Sequence, residues 1–368
     1  MVSYSEREWW IDYAKVIGIF LVVFIHLIQV SFNELLVSDR SILLVGTAFF
    51  MPLFFFVSGY LYKYTPPKDT LKKYFKRLVI PYIFFTLVGI LSFVIYKKLF
   101  LSNTIVKVTG KFLVGMILTE PYNTITLANG TIWFLIALFN IIIIFTLLKR
   151  YLKQDKYIFL IILGFNLLLY VLHILNINLY FGIDNALLGI LFFYTGHLAK
   201  KHDLINYFKN NYSNIAIAII FFILTFLEYK YNGVLGLRSA SWTGNFILCY
   251  FGAFTGIIMT IALSCLLAKF KNKLIFLISI NTLTIMGLEQ FLRLYTAVFL
   301  KHLGIKNVYP FLIVIILSIV ILIISVAIAM ILNKYAPVLI GNPSKVQNKE
   351  TSNTFQKLYL VIKNKRNF

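Results

Sequence analysis

The stretch Trp9–Gln29, WWIDYAKVIGIFLVVFIHLIQ, decides the fold. At about 1.5 Å of helical rise per residue it crosses the roughly 30 Å hydrocarbon core of a bilayer. Yet it carries Asp12, Lys15 and His26. An ionisable side chain near the centre of a span costs about 2.5–3.5 kcal/mol on insertion scales, so three in one span require partners or a function. At about 100° per residue, Lys15 and His26 lie within about 20° of each other around the helix and about 16 Å apart along it. Asp12 falls within about 40° of His26 and is an i,i+3 neighbour of Lys15. One polar stripe therefore runs most of the length of an otherwise apolar helix.

The rest of the chain has the same character. Of 368 residues, 60% are hydrophobic and 13% charged, against about 45–50% apolar and about 25% charged in soluble domains. Apolar runs of about 20 residues recur along the chain and predict an all-α, polytopic integral-membrane bundle of about ten transmembrane helices. The spacing places them near 9–30, 42–62, 78–98, 131–149, 157–174, 179–199, 214–231, 245–267, 274–300 and 310–333. The formal net charge of +22 does not point to nucleic acid, because the basic residues gather in short loops between spans. With the N-terminus in the cytoplasm, 24 of the 35 Lys and Arg fall on the cytoplasmic side and 9 on the other, with Lys15 and Arg293 inside spans. This bias predicts a multi-pass cell-membrane protein with both termini cytoplasmic.

Residues 1–340 read as the membrane domain and 341–368 as a basic cytoplasmic tail, either disordered or a short helix on anionic lipid. In the long linker 97–130, Phe112–Leu118 reads as an interfacial or re-entrant piece. Cys249 and Cys265 share one apolar segment. About 24 Å of helix separates them, too far for a disulfide, so they read as core thiols. The first apolar run is too long and too charged for a cleavable signal peptide.

Four local patterns then occur in order. They are Asp12…Lys15 followed by His26, FFMPLFFFVSGYLY at Phe49–Tyr62, LKKYFKRLVIPYI at Leu71–Ile83, and NGTIWFLIALF at Asn129–Phe139. Together they resemble the acyltransferase-3 superfamily of integral-membrane acyltransferases, and within it the branch of sugar O-acetylases that modify bacterial surface polysaccharides. The resemblance runs over most of residues 8–333. It implies a ten-helix membrane domain, an acyl-CoA donor (usually acetyl-CoA) and transfer to a glycan hydroxyl. The family's basic-x10-His pattern maps onto Lys15 and His26, its Ser-Gly onto Ser58 and Gly59, its basic residue before the third span onto Arg77, and its Trp onto Trp133. Two departures stand out. Lys15 occupies a position where Arg is frequent, so bidentate gripping gives way to a point charge. Many relatives carry a His in the ninth span after an Asn-Ser/Thr-Leu pattern, whereas here Asn281-Thr282-Leu283 is followed by Glu289.

O-acyl transfer needs a base for the hydroxyl proton, donors for the developing oxyanion and a seat for the CoA phosphates. Imidazole exchanges protons near neutral pH, so His26 is the expected base, against the plainer reading of a core histidine between helices. Counting from Trp9 and from Leu274 puts His26 and Glu289 at similar depth. Glu289 then either pairs with His26 and fixes its tautomer, or pairs with Arg293 one helical turn on. Lys15, Asp12, Ser58, Lys76 and Arg77 sit toward the cytoplasmic ends of the first three spans, where the CoA head would approach. The alternative for Lys76 and Arg77 is topology alone. Trp133, Asn129 and Glu120 fall near the outer mouth and are expected to meet the sugar, with an interfacial anchor as the other reading of Trp133.

His173, His197, His202 and His302 fall in or near loops, and no Cys/His cluster has metal-ligand spacing. No tightly bound cofactor is expected. The expected partners are acetyl-CoA, a glycan or lipid-linked sugar acceptor, and membrane lipid. The rival class is a transporter or flippase for a polar lipid or sugar, since intramembrane charges also mark transport paths. A third reading keeps the enzyme and exchanges acetyl for another acyl group such as succinyl.

Overall fold

The computed structural model describes residues 7–31, 44–100, 130–302 and 310–342, together with Gly115. All but Gly341 and Asn342 of the expected tail 341–368, and all but Gly115 of the linker piece Phe112–Leu118, lie outside the described residues. Helix α1 (Trp9–Ser31) is the central post. Its Ala14, Ile19, Val23 and Leu27 are fully enclosed, and five other helices pack against it. Those five are α2 (Phe50–Tyr60), α9 (Phe246–Leu267), α10 (Lys273–Ile280), α11 (Thr282–His302) and α12 (Pro310–Tyr335). Around them stand α3 (Pro67–Tyr74) with α4 (Ile80–Phe100), α5 (Trp133–Tyr151), α6 (Asp155–Ile174), α7 (Ile183–Lys201) and α8 (Asn211–Tyr231). The described residues hold a single two-residue β-ladder, Leu235–Gly236 against Ser241–Trp242, in the connection between α8 and α9.

The all-α membrane architecture is thus present, with a different inventory of spans. Among the described residues, seven helical runs are long and apolar enough to cross a bilayer. The other expected spans depart from regularity for identifiable reasons. The second is helical only over the 11 residues Phe50–Tyr60, a rise of about 16 Å. Its preceding 3-10 turn, Val45–Ala48, is buried inside protein, where irregular backbone is tolerated at membrane depth. Helix α7 is 19 residues long, but Asp184, Asn185, His197, Lys200 and Lys201 make it too polar to face lipid along its length. It packs on α2 instead. Outer helices supply the lipid face, with Leu167 on α6, Ile219 on α8 and Ile316 on α12 all exposed.

The third span begins at Pro67, not at 78. The basic segment is itself helical, and the run Pro67–Ser92 is one candidate span. Pro81 explains its irregularity. A proline lacks the N–H that would bond the carbonyl four residues back, and its ring crowds that carbonyl. Here that carbonyl belongs to Arg77. The strain is taken up by a π-turn at Phe75–Val79, which carries Lys76 and Arg77. The ninth span is also not continuous. It breaks at Asn281, and α10 and α11 meet at 80°. The Asn281 amide donates to Leu277 O at 2.8 Å and accepts from Asn333 Nδ2 on α12 at 3.0 Å. The break is therefore satisfied by side chains in place of the helical ladder.

Two devices fix the helices around α1. At its N-terminal end, Glu8 accepts hydrogen bonds from Lys200 Nζ (2.6 Å), Tyr60 Oη (2.7 Å) and Trp10 Nε1 (3.2 Å), joining α1, α2 and α7. Between α2 and α7, glycines permit backbone contact. A Cβ on Gly59 would strike the Phe193 carbonyl, and one on Gly196 would strike the Phe56 carbonyl. Small residues at such crossings let membrane helices approach closely. Gly59→Ala is therefore expected to lower stability by about 1–3 kcal/mol, as overpacking does. Gly164→Ala, facing open space on α6, is expected to be neutral or stabilising. Thermal unfolding in detergent distinguishes the two, and equal melting temperatures would refute the contact.

Glu8 supplies a pH test. Partial burial raises its pKa, but the hydrogen bonds from Lys200, Tyr60 and Trp10, with the Lys200 charge, pull it further the other way, below its ordinary 4.5. A depressed carboxyl stabilises the fold above its unfolded pKa and loses that contribution as pH falls through the folded value. The melting-temperature advantage of wild type over Glu8→Gln should be present at neutral pH and shrink on acidification below about pH 4.5. A pH-independent difference would show that the carboxylate charge is not what ties α1, α2 and α7 together.

Candidate active site

The polar stripe of α1 divides into two stations. At the first, Asp12 is buried and gripped by Arg7 through both oxygens, at 2.5 and 2.7 Å. It also accepts from Ser279 Oγ on α10. Its carboxylate is therefore engaged by Arg7 and Ser279, and the i,i+3 pair with Lys15 is not formed. Lys15 has no hydrogen bond or ion pair among the described residues.

At the second station, His26 and Glu289 meet. His26 Nδ1 lies 3.3 Å from Glu289 Oε2, and Arg293 Nε lies 2.9 Å from Glu289 Oε1. The two pairings weighed as alternatives in the sequence thus occur together on one carboxylate. Glu289 is fully buried, Arg293 is 17% exposed and His26 is 24% exposed. Both contacts lie within ion-pair distance, but neither has hydrogen-bond alignment. Apo sites often show such loose geometry and tighten with substrate. His26 Nδ1 is the buried ring nitrogen, so the accessible part of the ring carries Nε2. The contact does not follow from counting residues up a straight ninth helix, because α10 departs at 80°. It follows from α11, restarted at Asn281, packing along α1.

The start of α5 closes on the same place. Gly130 N–H donates to Gln290 Oε1, and Thr131 Oγ1 donates to Met286 O at 2.8 Å. These bonds fix α5 to the turns of α11 that carry Glu289. Trp133 follows at once, 6% exposed, with its ring edge-on to Phe55 at 6.4 Å. It is packed among aromatic side chains. Asn129 and Glu120 lie outside the described residues.

The β-ladder loop adds a residue that sequence reasoning did not single out. Arg238 sits at its tip, and its guanidinium lies over Gly130. A Cβ there would come within 2.8 Å of it. Buried Asn185 donates to the carbonyls of Leu237 and Arg238, both at 2.8 Å, and so pins the loop in place. The signal available in the sequence was only a lone arginine between apolar spans.

The residues expected to hold a donor are less gathered. Ser58 Oγ donates to Phe54 O on its own helix at 2.7 Å. Lys76 and Arg77 are exposed on the π-turn. Among the described residues no hydrogen bond or ion pair joins Lys15, Ser58, Lys76 and Arg77 to one another. A groove of about 790 Å³ lies beside the π-turn, lined by Lys68, Lys72 and Lys76 together with Ile136, Phe139 and Phe181. Neither His26 nor Glu289 lines it.

A bundle with lipid-facing outer helices and a histidine–carboxylate–arginine relay buried beside its central post defines a helical membrane protein with an internal polar site. The chain belongs to the acyltransferase-3 family: the family model, described as an acyltransferase domain, matches residues 8–330. It is therefore a membrane acyltransferase. No curated protein and no solved structure matches it.

Removing the shared carboxylate should expose its structural share. Glu289→Leu leaves the Arg293 charge without its partner, which typically costs about 3–5 kcal/mol. The double variant Glu289→Leu/Arg293→Met should recover most of that loss. Thermal unfolding of the four proteins gives the coupling directly. Additive losses would show that the two side chains do not interact.

Proposed function

We propose that the protein is an O-acetyltransferase that moves an acetyl group from acetyl-CoA to a sugar hydroxyl of a surface polysaccharide or its lipid-linked precursor. One observation carries this reading: the fully buried Glu289 faces Nδ1 of His26 and leaves Nε2 on the accessible side of the ring. A carboxylate in that place favours the tautomer with its proton on Nδ1 and stabilises the imidazolium that forms during reaction. Nε2 then accepts the proton of the sugar hydroxyl as its oxygen attacks the thioester carbonyl. The new ester C–O bond forms, the C–S bond breaks, and the proton on Nε2 passes to the departing CoA thiolate.

The donor enters from the end of α1 that carries Lys15, which the Lys and Arg distribution assigns to the cytoplasm. Lys15 supplies an amine inside the bundle that makes no hydrogen bond or ion pair among the described residues. Lys76 and Arg77 supply exposed cations on the π-turn, a geometry frequent at functional sites. A pantetheine arm reaches about as far as the roughly 16 Å of helix from Lys15 to His26. Ser58 and Asp12 act there by shaping α2 and the α1–α10 contact. The acceptor approaches from the opposite side, at the start of α5 near Trp133; Glu120 and Asn129, which lie outside the described residues, are assigned to it by their place in the sequence alone.

The test is free-CoA release from acetyl-CoA by purified protein in lipid, with and without membrane glycan extract. Wild type should show glycan-stimulated release. His26→Ala should lose about 10²–10⁴-fold, the usual contribution of a general base. Glu289→Gln should fall between them. Equal turnover by wild type and His26→Ala would remove His26 from the chemistry, and no turnover with any extract would overturn the reading.

A further inference from the structure

The site as described holds more positive charge than its own carboxylate balances. Glu289 faces two cations, His26 when protonated and Arg293. Arg238 brings another guanidinium to the same place across Gly130, whose N–H is bonded to Gln290, the neighbour of Glu289. Among the described residues no carboxylate pairs with Arg238, and its side chain makes no hydrogen bond. One Asp184 carboxylate oxygen accepts from Asn185 N–H at 2.8 Å. The Arg238 side chain is exposed to solvent. Yet enclosing protein is the larger influence lowering its pKa, and the Arg293 charge is the second.

Holding two like charges together costs free energy unless something of opposite charge comes between them. The backbone does not leave this to chance, because Asn185 spends its amide on the two carbonyls that aim the loop. Arginine also suits a particular guest, since its planar fork matches the paired oxygens of a carboxylate or phosphate.

We infer that Arg238 and Arg293 together seat an anionic group of the acceptor, a carboxylate or a phosphate attached to the sugar whose hydroxyl is presented to His26. This rests on the acyltransfer reading and adds the charge class of the acceptor to it. The guanidinium of Arg293 is shared: its Nε faces Glu289, and its terminal nitrogens, which make no hydrogen bond among the described residues, are left for the guest. Among the described residues no acceptor takes up the side-chain donors of Arg238. The acceptor would thus be positioned by its anion while its hydroxyl reaches Nε2.

Binding tests this without requiring turnover. The probes are methyl glucuronide, glucose 1-phosphate and neutral methyl glucoside, added to the purified full-length protein and read by thermal shift and by calorimetric titration. One or both anionic probes should stabilise wild type, and the neutral one should not. Whichever anion binds more tightly identifies carboxylate or phosphate as the natural handle. Arg238→Gln should weaken the anionic probe at least tenfold, and Arg238→Lys, which keeps charge without the fork, should be intermediate. Unchanged melting temperatures of the unliganded variants would show that their folds are intact. Equal binding of the neutral sugar, no binding of either anion, or undiminished binding to Arg238→Gln would each overturn the inference. Failure of CoA release with intact anion binding would instead count against the acyltransfer reading.

Discussion

A carboxylate buried in a membrane protein must be compensated, and Glu289 is compensated twice. Its two oxygens face Arg293 on its own helix and His26 on the central post. This arrangement ties charge balance to chemistry. Arg293 keeps the carboxylate acceptable in a fully enclosed place. The carboxylate in turn orients the imidazole, whose second nitrogen stays accessible. The pair with Arg293 lies within one helix, but the contact with His26 requires the Glu289 face of α11 to meet α1. The register of α11 against α1 is therefore the constraint on which the rest of the site depends.

That register is set by irregular backbone. Asn281 ends α10 and starts α11, and its side-chain amide replaces ladder hydrogen bonds lost at the 80° turn. Pro81 does a comparable thing on the third span, where a π-turn presents Lys76 and Arg77 outward. Glycines at the α2–α7 crossing let a short buried helix sit against a polar one. Regular helices give the bundle its lipid face, and the break at Asn281 starts the helix that carries Glu289 to His26.

The fold class was legible in the sequence because hydrophobic length alone settles it. The His26–Glu289 contact was legible too, although by a depth count that assumed a straight ninth helix. The spans that went astray did so for local reasons that a twenty-residue count does not register: Pro81 inside a helix, Asn281 inside an apolar run, and an eleven-residue α2 covered by α7. Arg238 was not legible at all. Its significance lies in Gly130 beneath it and Asn185 behind its loop, residues more than fifty positions away in the chain, and no periodic pattern connects them. Trp133 was readable as aromatic and near a helix start, but its burial against Phe55 depends on α2, which the sequence does not position.

The account is tested most directly by the protonation pattern of the His26 ring in lipid, read from its two nitrogen-15 chemical shifts and assigned by difference against His26→Gln. A carboxylate that holds the base in place predicts a neutral ring protonated at Nδ1 and bare at Nε2, with that preference lost in Glu289→Gln. A ring protonated at Nε2 in the wild-type protein, or one indifferent to Glu289→Gln, would contradict it.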